Sequence, residues 1–228
     1  MTEGCYSHSI ADGTVDFGKR SDDYVKYRPG FPENWFERLD KILFGRTTTE
    51  EENSKEQEKE KRKHLVILDL GSGPGVITLE LGRRKGYENC EIMGVDISSN
   101  QIAAARKRVK EMENEKLLSC KKIEFKVGSA EDIPMENASV DVIICGQCWP
   151  FFDTTKAWPS IHRVLKESGL LIIAQYCYLP RMSYIAHITE QLVYKYNPSW
   201  IHGGFNGIYP SQIDQVFYFF IVDNLIFF

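Results

Sequence analysis

Asp69, Gly71, Gly73, Gly75 and Asp96 carry the clearest chemistry in this chain. Asp69 sits near the end of an apolar run, Leu65 to Leu70, that reads as a buried parallel strand. Three glycines at alternate positions follow, in Gly71-Ser72-Gly73-Pro74-Gly75, before helical periodicity resumes at Val76. Glycines let the backbone turn tightly and let a ligand approach it closely, and a helix start offers unpaired N–H groups. Pro74 suits the first turn of that helix, where a missing N–H costs nothing. Asp96 ends the next apolar run, Glu91 to Asp96, roughly 20 residues on, where an acid that holds ribose hydroxyls belongs. The spacing is G-x-G-x-G and not the G-x-G-x-x-G of the dinucleotide fingerprint, so an NAD(P)-dependent oxidoreductase ranks low.

This combination resembles the class I, Rossmann-like S-adenosylmethionine-dependent methyltransferases, and the likeness covers about Tyr24 to Pro180. The resemblance implies that Asp69, with Gly71, Ser72, Gly73 and Pro74, holds the methionine end of the cofactor, and that Asp96 and Ile97 serve its ribose side. Gly128-Ser129-Ala130-Glu131-Asp132-Ile133-Pro134 is similar to the family's adenine-binding segment, which puts Ser129, Ala130 and Glu131 near the base. Ser129 stands where the family more often carries Asp, which leaves open which of the three makes each contact. Upstream, Tyr24, Arg28, Pro29 and Pro32 match an element of the type 11 and trans-aconitate methyltransferase-like subgroup, with Phe31 in place of a tyrosine. That element folds over the cofactor in the subgroup, which brings Tyr27 and Arg28 to the cofactor and Tyr24 to the acceptor. Gly146 and Gln147 end the fourth strand on the cofactor side, and Trp149 and Tyr178 are candidates for the acceptor wall. Where the family often has an aromatic residue or histidine after that strand, this chain has Pro150, which excludes a catalytic histidine there. A further likeness lies in the Arg163-Val164-Leu165-Lys166 to Gly169-Leu170-Leu171 join.

The implied activity is methyl transfer to a small acceptor by in-line displacement, with catalysis mainly by positioning. No general base is encoded, which favours a carboxylate or another acceptor that is already nucleophilic; no catalytic residue is assigned. A non-catalytic cofactor-binding or scaffold protein is the main alternative. A redox protein built on Cys145-Gly146-Gln147-Cys148 is the weaker one, since two cysteines near a strand end more often simply pack. A zinc site is disfavoured because no second C-x-x-C or H-x3-H follows.

Positioning these groups requires a doubly wound, mostly parallel α/β sheet with helices on both faces and ligands at the carboxyl ends of its strands. Strands are expected at 65–70, 91–96, 121–127, 139–147 and 170–174, with helices at 33–44, 76–84, 101–116 and 154–166. The chain divides into an N-terminal cap segment and helix (1–46), a charged linker or insertion (47–64), the cofactor-binding core (65–180), and an aromatic lid with a shortened tail (181–228), all within one structural domain. Eleven of the seventeen residues from Thr47 to Lys63 are charged, which fits a solvated extension. After Pro210 the chain has room for about one strand, so the C-terminal strands are expected to be incomplete.

Composition sets the remaining bounds. Over 228 residues, 43% hydrophobic and 26% charged content is that of an ordinary globular protein. A net charge of −4 argues against non-specific nucleic-acid binding. No run is long and apolar enough to span a membrane, and Met1 to Phe17 has no basic and apolar leader pattern. The six cysteines show no framework spacing, which together with these features points to the cytoplasm.

Overall fold

The computed structural model describes residues 30–45, 64–174, 184–196 and 225–227. In chain order the elements are α1 (Glu33–Phe44), β1 (Val66–Leu70), α2 (Val76–Arg83), β2 (Glu91–Asp96), α3 (Ser99–Asn114), β3 (Lys122–Val127), β4 (Val140–Gly146), a 3-10 turn (Trp149–Phe151), α4 (Thr154–Val164), β5 (Leu165–Ala174), α5 (Tyr184–Tyr196) and β6 (Leu225–Phe227). The six strands form one sheet in the order β3-β2-β1-β4-β5-β6. Every pairing is parallel. The expected doubly wound α/β architecture is therefore present, with the chain reversing its direction of travel between β1 and β4.

Strand alternation sorts the core into two faces. Leu68, Leu70, Val95, Ile143, Cys145 and Ile173 pack with Ala157, Ile161 and Val164 of α4. Ile67, Ile92, Val142, Ile144 and Ile172 pack with Trp35, Phe36, Leu39 and Leu43 of α1 and with Ile77 and Leu81 of α2. α3 joins α2 and β3 through Ile102, Ala105, Val109 and Phe125. The helix α3 starts where its sequence offers a cap, with the Ser98 hydroxyl accepting from the Gln101 N–H at 3.4 Å.

Three details depart from the sequence reading. α2 begins at Val76 with Gly75 as its N-cap, so Pro74 lies in the loop before the helix and not in its first turn. α4 ends at Val164 and not near Lys166, because Leu165 already pairs with Val140 at the start of β5. The next paired residue on β5 is Leu170, opposite Val142, so Lys166 to Gly169 bulge out of the ladder. A Cβ at Gly169 would lie 2.6 Å from the Leu165 side chain and 3.0 Å from the Lys166 carbonyl, so the bulge closes only on glycine. The tail contributes β6, which extends the sheet alongside β5. The charged stretch 47–63 lies outside the described residues, as does the greater part of the lid and tail.

Candidate functional site at the carboxyl ends of β1, β2 and β4

The glycine loop is built across the end of β2. The N–H groups of Gly71 and Ser72 both donate to the Val95 carbonyl, at 2.8 and 2.9 Å, and the Gly75 N–H donates to the Ser72 carbonyl at 3.0 Å. Gly71 has φ +72°, and a Cβ there would sit 2.6 Å from Cys148 Cβ and 2.8 Å from its Sγ. Its glycine is demanded by packing against the segment after β4. Gly73 has φ +54° and nothing within 4 Å of a Cβ position, so its outer side is open to a ligand.

Asp69 lies inside, only 1% exposed, on the sheet face that carries α2. The Thr78 N–H and hydroxyl both donate to its Oδ2, at 3.1 and 2.6 Å, so the carboxylate ties β1 to the first turn of α2. Burial pushes its pKa up to about 7, against the two Thr78 bonds, and the charge of Asp96 adds to the rise. Asp96, half-buried at the end of β2, is the second acid at the loop. Its Oδ2 accepts from the Gly73 N–H and its Oδ1 from the Ser98 N–H, both at 2.8 Å. Burial also raises its pKa. Each carboxylate oxygen can accept a second hydrogen bond, so Asp96 keeps capacity for hydroxyl donors. Ile97 beside it is 60% exposed and offers an apolar surface.

The Ser129–Glu131 segment is largely engaged with the protein itself. The Ser129 hydroxyl accepts from the Asp132 N–H at 3.2 Å, Ala130 is buried, and Glu131 Oε1 accepts from the Asp153 N–H at 2.9 Å. Glu131 thereby joins the loop after β3 to the N-cap of α4.

At the end of β4, Gln147 adopts φ +62°, unusual for a side-chain-bearing residue, with its N–H donating to the Ala174 carbonyl at 2.8 Å. Both polar atoms of its amide are buried without a hydrogen-bond partner, as is the hydroxyl of Ser72. Buried polar atoms are rarely left so, and these flank the reversal point between β1 and β4 where an open α/β sheet takes its ligand. Gly146 is overlain by Ile77 and Phe31, whose atoms would approach a Cβ there to 2.3 and 3.2 Å. Phe31 stacks on Trp35 of α1 with centroids 4.4 Å apart, so the described end of the N-terminal segment reaches over the β4 terminus.

Trp149, expected in the acceptor wall, is 3% exposed. It lies in the core, with its ring 4.8 Å from that of Trp158 and 5.7 Å from that of Phe152. Cys145 and Cys148 are buried as well; the Cys148 thiol donates to the Leu70 carbonyl at 2.9 Å, and burial holds its pKa well above the ordinary thiol range. A dithiol without an accessible thiolate is poorly suited to exchange chemistry. Tyr24, Tyr27, Arg28 and Tyr178 lie outside the described residues. Sequence reasoning missed Thr78 and the packing role of Cys148. The signal for Thr78 was its place in the first turn of α2, nine residues after Asp69, where a donor can answer a buried acid. Among the described residues no group of three or more His, Cys, Asp or Glu is arranged to hold a metal, and no helix is long and apolar enough to cross a membrane.

A family model described as a methyltransferase domain matches residues 61–215. Two relatives from Schizosaccharomyces pombe, an uncharacterised methyltransferase and an uncharacterised methyltransferase-like protein, are 30% and 33% identical over 152 residues each. Those matches take in 66% and 65% of this chain and 48% and 46% of the relatives, so the chain spans about half their length. A crystal structure from Methanococcus maripaludis, of a protein whose own assignment as an S-adenosyl-L-methionine-dependent methyltransferase is provisional, superposes with a TM-score of 0.58 at 20% identity, covering 88% of this chain and 80% of the other. That likeness is one of fold.

Proposed function

This chain belongs to the class I, Rossmann-like family of S-adenosylmethionine-dependent methyltransferases, and from that premise we propose that it transfers a methyl group from S-adenosylmethionine to a small acceptor, best a carboxylate. The observation that carries the reading is Asp96. It stands at the carboxyl end of β2, fixed by the Gly73 and Ser98 N–H groups at 2.8 Å, with lone pairs left for two ribose hydroxyls. The unpartnered Ser72 hydroxyl and Gln147 amide fit the same ligand, which would supply their missing hydrogen bonds.

In this reading Asp96 and exposed Ile97 take the ribose and one face of the base, and the Ser129–Glu131 loop takes the base edge. The open side of Gly73, with Ser72 and Pro74, receives the methionine end, while Asp69 supports the loop from beneath. Gly146 and Gln147 close the site from β4, and the resemblance assigns Tyr27 and Arg28 to the cofactor and Tyr24 and Tyr178 to the acceptor. When bound, the cofactor supplies a methyl group that its sulfonium has already made electrophilic. What remains for the chain is to hold donor and acceptor in line and to exclude water, and orientation alone is worth about 7–11 kcal/mol. A carboxylate acceptor has no proton to lose, which suits a chain with Pro150 where the family it resembles often has an aromatic residue or histidine.

Calorimetric titration with S-adenosylmethionine and S-adenosylhomocysteine, with NAD as control, tests the cofactor. Micromolar binding of the first two alone is the expected result, followed by a screen of small carboxylic acids for methyl ester formation. Asp96→Ala should weaken both by more than about tenfold, the loss of a charge-assisted contact to the ribose. Unchanged affinity would remove the ribose assignment, and tight binding without transfer to any acceptor would leave a scaffold.

A further inference from the structure

We propose that two copies of this chain associate through α5, laid antiparallel across a two-fold axis so that Ile188 of each copy meets the partner's Leu192. The inference goes beyond the methyltransferase reading and does not depend on it.

The starting point is a helix turned outward. α5 runs from Tyr184 to Tyr196. At about 100° per residue, Tyr184, Ile185, Ile188, Leu192 and Tyr196 fall within about one third of its circumference. They are 78%, 77%, 47%, 55% and 76% exposed, whereas Glu190 on the opposite side is 4% exposed. The helix is therefore seated by its Glu190 side and presents its apolar stripe outward. Apolar residues scattered singly over a surface are ordinary; five large ones in a single strip mark a place of contact.

The spacing of the stripe says what fits it. Tyr184, Ile188, Leu192 and Tyr196 recur every fourth residue, with a ring at each end and a branched aliphatic side chain at each inner place. The row therefore reads alike from either end. A surface that meets its own copy across a two-fold axis has to be self-complementary in this way, since residue i touches j and j touches i. In the antiparallel arrangement each Ile188 faces the partner's Leu192, and each Tyr184 lies at the level of the partner's Tyr196. Rows of this i±4 kind are also the ridges of the commonest class of helix packing.

Area and charge favour a second copy over other occupants. Wholly covered, the five side chains remove on the order of 700 Å² per copy from water, close to the roughly 800 Å² per partner of an ordinary stable complex. One helix supplies all of it, so the dissociation constant belongs on the order of 10 µM. A helix that lies on a membrane carries a polar face rich in lysine and arginine. α5 has no arginine and one lysine, Lys195, whose ammonium lies 5.5 Å from the centre of the adjacent Tyr196 ring.

Sedimentation equilibrium of the full chain from about 1 to about 200 µM tests the proposal, and a reversible monomer–dimer equilibrium is the expected result. Ile188→Lys and Leu192→Glu, made as separate variants, should each raise the dissociation constant about tenfold or more. Mixed in equal amounts, the two should recover association, because the introduced lysine of one faces the introduced glutamate of the other and the second Leu192–Ile188 contact is intact. A parallel pairing gives no such recovery. At about 1 µM, where the parent is monomeric, both variants should melt within about 1 °C of it, which shows that they fold. A parent that stays monomeric up to about 200 µM overturns the proposal. Variants that dimerise as the parent does, or a mixture no stronger than its components, overturn it too. Midpoints lowered by several degrees in dilute solution would assign the stripe to another segment of this chain, and a monomeric parent that binds phosphatidylcholine vesicles would assign it to a lipid surface; either result rules out the second copy.

Discussion

At the scale of single residues, Asp69 joins two demands that oppose each other. Its hydrogen bonds from Thr78 fix the start of α2, yet its burial raises the cost of the charge. A carboxyl whose folded pKa is lifted from 3.8 to about 7 binds its proton more tightly in the folded chain than in the unfolded one. The stability this confers is fully present below about pH 4 and is lost as pH rises through 7. The loss is on the order of 4 kcal/mol, less whatever relaxation the charged form permits. Asp69→Asn mimics the protonated group, so it should match the parent near pH 4 and melt several degrees higher at pH 8. Scanning calorimetry at the two pH values checks this; equal midpoints at pH 8 would mean that the charge is compensated within the fold.

At the scale of elements, the glycine loop shows one motif serving separate purposes. Gly71→Ala places a methyl 2.6 Å from Cys148 Cβ in left-handed backbone. Overpacking and backbone strain together should cost about 2–4 kcal/mol, read as a lower denaturation midpoint. Gly73→Ala meets nothing within 4 Å, so its strain should cost only about 1 kcal/mol, while S-adenosylhomocysteine binding falls tenfold or more because the new methyl occupies the ligand's side of the loop. If Gly73→Ala binds as the parent does, the open side of the loop is not the ligand's side. The loop and its flanking elements were legible in the sequence because local pattern decides them: α1 and β2 begin and end where periodicity puts them, and Ser98 caps α3. What pattern could not reveal depends on contacts between distant residues. The end of α4 is set by Leu165 pairing with Val140, and Pro74 falls outside α2 because Gly75 turns the chain first. Trp149 reads as a wall residue but is drawn into the core by Trp158 and Phe152. Arg84 is similar: it bonds Glu33 and Asp40 of α1 at 2.7 and 2.9 Å, and Tyr87 donates to the same Asp40 at 2.7 Å, a clasp between α1 and the α2–β2 connection that no spacing announces.

At the scale of the whole molecule, the described helices cover the two faces of the sheet unequally. α1, α2 and α3 share one face of the sheet, and α4 stands on the other. The β3–β4 connection carries no helix, and a groove of about 310 Å³ remains over β2 and β3, lined by Met93, Lys122, Glu124, Lys126, Pro134 and Met135. It lies on the face opposite α2 and takes no part in the site. α5 stands out more. Ile185, Ile188 and Leu192, spaced to share one side of the helix, are 77%, 47% and 55% exposed, while its Glu190 is 4% exposed. An amphipathic helix that packed its apolar side against the sheet would show the reverse. A stripe of this kind in water promotes association between molecules far more than it strengthens one. The double substitution Ile188→Lys and Leu192→Lys should therefore leave the thermal midpoint within about 1 °C and the affinity for S-adenosylhomocysteine unchanged, while light scattering at high protein concentration falls. A midpoint lowered by several degrees would instead show that the stripe is buried against another part of the chain, and a drop in affinity would place that contact next to the glycine loop.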